Sequence, residues 1–173
     1  MTGQKNRFST TEKLWNLDDK QLKTPKHDAM VLWLMSHWQE FISFDKTFTN
    51  RFREYPFSDA SIKSEMPVYS SKTFLAGYID LSIIGEYVRE NFHPQYVIHN
   101  IEVKPYIDSF GAVLRQLNSY KSFFGDTRTR TVKYYIFTLD NRFDAHFESQ
   151  GIEVLHPPAD FDIEEVMKFY GLV

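Results

Sequence analysis

Three charged residues in the middle of this 173-residue chain have the types and spacing to do chemistry. Glu102 and Lys104 are two apart in a strand-like run, residues 96–104, so both project from one face, with Asn100 and Ile98 before them. On that alternation His99, Ile101 and Val103 face the core, while Glu102 and Lys104 face outward. Asp80 supplies a second carboxylate from the preceding strand-like run, residues 74–84, and paired strands lie ~4.8 Å apart. Two carboxylates converging at a sheet edge need a cation to offset their repulsion. All-oxygen ligation suits Mg2+, with Mn2+ as its substitute, better than zinc. Such an ion neutralises a scissile phosphate and lowers the pKa of a water, while the lysine orients that water or stabilises the crowded phosphorus. The chemistry implied is phosphodiester hydrolysis. The competing reading is a cross-strand surface ion pair worth ~0.2–1 kcal/mol. Asp18-Asp19-Lys20 also has the acid-x-Lys spacing, but in a polar segment without strand character.

The next helical run adds Gln116 and Tyr120, four apart and therefore on one helix face. No other Gln-x-x-x-Tyr spacing occurs in the chain. The tyrosine also belongs to an apolar stripe with Val113, Leu117 and Phe124, so its ring can pack while its hydroxyl stays available.

The elements that must position these residues follow from local signals. Ser9-Thr10-Thr11-Glu12 has capping-box spacing and predicts a short accessory helix. Thr24-Pro25 reads as N-cap and first helical position of a largely buried helix through Met30, Leu34, Trp38 and Ile42. Residues 45–64 have no clean period and read as irregular. Residues 67–71, 74–84 and 96–104 then read as three strands. In the second, Leu75, Ile79, Leu81 and Ile83 share one face, leaving Asp80 on the other with Ala76, Tyr78 and Ser82. Ser109 caps a helix through Phe124, with Gly125 as its terminator. Residues 132–139 form a strand, 141–148 a short helix, 152–155 a last strand and 163–170 a C-terminal helix. The order predicts an α/β fold, a mixed β-sheet flanked by helices. The expected organisation is a single domain: an accessory segment (1–23), a core (24–155) and an acidic C-terminal helix (156–173).

Gly77-Tyr78-Ile79-Asp80, Ile101-Glu102-Val103-Lys104 and Gln116-Leu117-Asn118-Ser119-Tyr120 together resemble the successive motifs of the PD-(D/E)XK nuclease superfamily, in its RecB-type branch. The resemblance covers roughly residues 65–140. It implies a restriction-endonuclease-like sheet with an αβββαβ core and a Mg2+-dependent deoxyribonuclease. Asp80, Glu102 and the Val103 carbonyl would bind the metal, Lys104 would assist the attacking water, and Gln116 and Tyr120 would line the site near DNA. An upstream acid is often present in that family; Glu65 matches its usual place, with Glu40 as the alternative. The branch also often carries an upstream histidine, but neither His27 nor His37 falls in a recognisable motif.

Composition sets the limits. With no cysteine, disulfides, thiolate zinc sites and iron–sulfur clusters are excluded, and a reducing cytoplasm is the expected compartment. The seven glycines form neither a Walker loop nor a dinucleotide fingerprint, so any motor would be a separate protein, as would a targeting partner. The six histidines show no close helical pairing, which argues against a zinc hydrolase. No apolar run has the length of a membrane span, so no membrane partner is expected. Residues 151–173 hold five acids and one base, which leaves 19 basic against 18 acidic residues in the first 150. A polyanion would therefore meet only a local basic groove, for which Arg115, Lys121, Arg128 and Arg130, with Lys133, are the candidates. Phe123, Tyr134 and Tyr135 could stack on bases, although core packing is the commoner role. DNA is the expected partner, and cutting both strands of a duplex would be simplest as a homodimer. The other readings are a catalytically weak module of this fold that relies on a partner, and a nuclease directed at RNA, which no RNP aromatic pair favours.

Overall fold

The computed structural model describes residues 24–44 and 55–173. Helix α1 (Pro25–His37) opens as expected: the Thr24 side chain accepts from the His27 amide and Pro25 occupies the first turn. It ends sooner than its apolar pattern suggests, passing at residue 38 into a short 3-10 turn (Trp38–Glu40). Strands β1 (Phe57–Tyr69), β2 (Leu75–Tyr87) and β3 (Gln95–Lys104) form an antiparallel meander. Helix α2 (Phe110–Phe123) then crosses over to β4 (Arg130–Thr138), which runs parallel to β3. Ser109 caps α2 by accepting from the Ala112 amide. After α3 (Asp144–Ser149), β5 (Glu153–Leu155) pairs parallel with β4, and α4 (Ile163–Phe169) closes the chain. The result is a five-stranded mixed sheet in the order β1-β2-β3-β4-β5 with helices on both faces. Among the described residues no helix is long and apolar enough to cross a membrane. The proposed accessory helix at residues 9–12 lies outside the described residues.

Each face has its own core. Ala29, Met30, Val31 and Leu34 of α1 are fully buried, and the last three pack with Leu81, Ile83, Ile101, Val103 and Phe137. On the other side Val113, Leu117 and Tyr120 of α2 pack with Val68, Ile79, Tyr134 and Ile136. Helix α4 lies on α1, tied by Lys26 to Glu164 at 3.4 Å and by the Tyr170 hydroxyl donating to the Leu32 carbonyl at 3.2 Å.

Two expectations need correcting. Residues 57–64 are strand, not irregular, while 45–54 fall outside the described residues. This half of β1 is an edge strand rich in Ser, Asp and Lys, so it lacks an apolar alternation, and β2 defines it through pairing. The apolar residues of β2 also do not share one face. Leu81 and Ile83 pack under α1, whereas Ile79 packs under α2. The change of face falls at Asp80 and, on β1, between Ile62 and Met66, where Glu65 has a left-handed φ of 52°. Strict period-2 reasoning fails where a pair of strands bends so sharply.

Candidate functional site

The bend is where the sheet opens. The last pairing between β2 and β3 is Leu81 with Ile101, and beyond it β2 stays paired with β1 alone. The Val103 amide, which would otherwise bond to the β2 backbone, donates to Asp80 Oδ2 at 2.9 Å. Since the N–H and C=O of one strand residue point to the same side, the Val103 carbonyl faces the same opening. Ser64 pairs with Leu81 and Met66 with Ile79, so Glu65 falls across from Asp80 on β1.

Glu102 is on the face covered by α2 and is buried, not turned to solvent as simple alternation predicts. Its Oε1 accepts from Lys104 Nζ and from Gln116 Nε2, each at 2.9 Å. Gln116 Nε2 also contacts the Tyr120 hydroxyl at 3.1 Å, and that hydroxyl donates to the Tyr78 carbonyl at 3.2 Å. The chain from Glu102 through Gln116 and Tyr120 thus reaches back to β2, two residues from Asp80. Close packing of Tyr120 on β2 depends on Gly77: a Cβ there would lie 2.4 Å from the tyrosine oxygen. The other Glu102 oxygen, Oε2, is buried and has no hydrogen-bond partner among the described residues. Burial pushes the Glu102 carboxyl up to about 7, and the charge of Asp80 adds to the rise; Lys104 and His27 oppose it.

His27, left unassigned by motif, belongs here. It sits in the first turn of α1 with Nε2 3.2 Å from Asp80 Oδ1 and Nδ1 3.1 Å from Asp28 Oδ1. Both are buried, Asp28 completely. The resemblance implies an upstream histidine without choosing between His27 and His37, and the docking of α1 against β2 brings His27 to Asp80.

The remaining candidates are dispersed. Arg115 is exposed one position from Gln116. Lys121 is on α2 one position after Tyr120, whereas Arg130, with Arg128 just before it, lies toward the opposite end of the sheet: Arg130 pairs with Tyr96 and Thr138 with Lys104, a separation of eight strand residues, or ~26 Å. Arg130 is engaged locally, its Nε donating to the Gly125 carbonyl and its guanidinium 4.0 Å from the centre of the Phe124 ring. Glu40 is exposed after α1. His99 occupies the α1 face, as alternation predicts, with Nδ1 2.8 Å from the Tyr135 hydroxyl; burial lowers its pKa to about 4 and keeps it neutral. Tyr134 and Tyr135 are core residues, while Phe123 is 43% exposed.

Among the described residues, no group of three or more His, Asp or Glu side chains is placed to hold a metal ion. What the fold brings together is a buried carboxylate oxygen without a partner among the described residues, a second carboxylate close enough to raise its pKa, a backbone carbonyl on the same side, and an imidazole. No protein-family model matches the chain, and neither a curated protein nor a solved structure is significantly similar to it.

Proposed function

We propose that the chain is a Mg2+-dependent nuclease of the PD-(D/E)XK type, RecB branch, that hydrolyses DNA. The observation that carries this reading is the unpartnered buried oxygen of Glu102 beside Asp80, since a buried anion left unsatisfied is costly unless a cation completes it. The order of helix, three antiparallel strands, helix and parallel strand supports a restriction-endonuclease-like fold.

Asp80, Glu102 and the Val103 carbonyl would hold the ion, with His27 as a further donor and Glu65 nearest across the ribbon. When bound, Mg2+ supplies charge neutralisation for the phosphate and acidifies a water. The chain's own groups do the positioning. Lys104 and Gln116 both hold Glu102 Oε1, which leaves Oε2 for the cation. The Lys104 side chain is 11% exposed, so its ammonium is mostly desolvated yet still reachable by a phosphate or an incoming water. Arg115 supplies a sequence-independent phosphate contact, and such contacts make binding fall steeply with salt.

The test compares wild type with Asp80→Ala, Glu102→Ala and Lys104→Ala on linear, circular and single-stranded DNA in Mg2+ or Mn2+. Each variant should lose roughly 100-fold or more in cleavage, the scale of removing one preorganised electrostatic partner. Wild-type activity in Glu102→Ala would end the proposal.

A further inference from the structure

Beside the site, three elements distant in sequence converge on one ammonium. Lys26 is the second residue of α1, directly before the His27 that contacts Asp80. Tyr106 follows two residues after Lys104 in the loop that leaves β3. Glu164 belongs to the first turn of α4. Lys26 Nζ lies 3.4 Å from Glu164 Oε1 and 5.9 Å from the centre of the Tyr106 ring. None of the three is buried: the Lys26 and Glu164 side chains are 39% and 56% exposed, and Tyr106 is 56% exposed. An ion pair so exposed does little for stability. Helix chemistry does not ask for a lysine here either, since a cation in the first turn meets the positive end of the helix dipole. A cation that gains little where it stands, next to a site built for a phosphodiester, is placed for a phosphate. The other candidate cations leave room for it. Lys104 already holds Glu102, and Arg130 lies toward the far end of the sheet.

We propose that Lys26 binds a backbone phosphate of the nucleic acid near the one that is cut, and that Glu164 competes with that phosphate for the ammonium, so that α4 weakens binding from within the chain. The exchange is of one anion for another at a single cation, with the Tyr106 ring beside it in either case. Asp162 is engaged in capping α4, accepting from the Glu164 and Glu165 amides, and Glu164 is the carboxylate of that turn that meets Lys26. The inference takes its ligand from the nuclease reading, but it can be tested without metal or cleavage.

The experiment measures fluorescence anisotropy of a labelled DNA duplex and of one of its strands with the metal-free protein in EDTA, between ~50 and ~200 mM KCl. Lys26→Gln should weaken binding of whichever form wild type prefers and lower the slope of log affinity against log salt by ~0.7–0.9, the share of one phosphate contact. Lys26→Arg should keep the wild-type slope. Glu164→Gln should tighten binding about two- to five-fold, the range of an exposed ion pair. Glu165→Gln, which removes the same charge one position along α4, should tighten it less. In the Lys26→Gln background, Glu164→Gln should do no more than Glu165→Gln does. An unchanged slope in Lys26→Gln overturns the phosphate contact. Equal tightening by Glu164→Gln and Glu165→Gln, or undiminished tightening by Glu164→Gln without Lys26, overturns the competition and assigns the effect to the general field of α4. A wild type that binds neither form of DNA refutes this inference and the nuclease reading together. One that shows the expected pattern but never cleaves in Mn2+ refutes the nuclease reading and leaves the contact standing.

Discussion

At the end of β3, Glu102 is deeply buried with one oxygen satisfied and the other bare among the described residues; just past the end of β4, Asp140 has little exposure to solvent and is saturated. Asp140 accepts from the Ile107 amide, from the Arg142 amide and from Arg142 Nε and Nη2. Lys104 and Thr138 are direct cross-strand partners, so the two acids stand at neighbouring strand ends. Their proton affinities diverge accordingly. The hydrogen bonds of Arg142 hold Asp140 well below the usual carboxylate range, whereas burial and the charge of Asp80 push Glu102 up to about 7. Asp140 pins the loop after β3 to the loop after β4; the Arg142 guanidinium bonds the Ile107 carbonyl as well. Asp140, used for architecture, has both oxygens occupied, whereas the bare oxygen of Glu102 calls for an explanation, and a ligand that the chain itself does not supply is one.

The contrast gives opposite pH signatures. The folded pKa of Glu102 lies above its ordinary 4.5, so its contribution to stability is complete below about 4.5 and is lost as pH rises through about 7. In EDTA the protein should therefore be less stable at pH 8 than at pH 5, by up to ~3 kcal/mol from this group. Glu102→Gln should flatten that slope. Asp140 has a depressed folded pKa, so its contribution is present above the ordinary carboxylate range and is lost only as pH falls toward the lower folded value. Asp140→Asn should lower the melting temperature by a similar amount at pH 6 and pH 8. Melting curves of the two variants across pH 5–8 decide the point: parallel behaviour would mean that Glu102 is as saturated as Asp140.

A smaller effect concerns the imidazole. Asp28 holds Nδ1 of His27, which orients Nε2 toward Asp80. A carboxylate behind a ligating histidine contributes 10–100-fold to metal affinity in known sites. Asp28→Ala should weaken Mn2+ binding by about 10-fold, measured by titration calorimetry, while Asp28→Asn, whose amide oxygen can still accept from Nδ1, should retain most of it. Unchanged affinity in Asp28→Ala would assign the His27–Asp28 pair to packing.

Much of the comparison was readable before any coordinates. Glu102 and Lys104 stood out because an acid-x-Lys step lies inside a β-prone run, and Gln116 with Tyr120 because helix periodicity puts them on one face. Thr24 and Ser109 were found by capping chemistry, which is local. What escaped was set by contacts distant in sequence. His27 looks like any histidine on a buried helix until α1 docks on β2. The burial of Glu102 depends on α2 lying across its face, which a strand pattern does not encode. The first half of β1 is a polar edge whose conformation comes from its partner, and the change of face at Asp80 is a bend that alternation assumes away. Arg130 scores as a free cation in a basic cluster, yet the Phe124 ring and the Gly125 carbonyl occupy it.

The smallest expected effect tests how the covered side of the site is held. Tyr120→Phe removes a hydroxyl that receives Gln116 and bonds Tyr78, a loss of about 1 kcal/mol, without disturbing the ring's packing. Gly77→Ala should cost more, about 1–3 kcal/mol, because its Cβ would meet the tyrosine oxygen at 2.4 Å and must displace the ring that steadies Gln116. The two changes should not add. Without the hydroxyl, the nearest atoms to the new methyl are ring carbons at 3.0 and 3.1 Å, so the alanine is better tolerated. The double variant should therefore be more stable than the sum of the single costs predicts, by about 1 kcal/mol in denaturant unfolding. Strict additivity would mean that Gly77 and Tyr120 do not press on each other, and that the relay from β2 through Gln116 to Glu102 is held by something else.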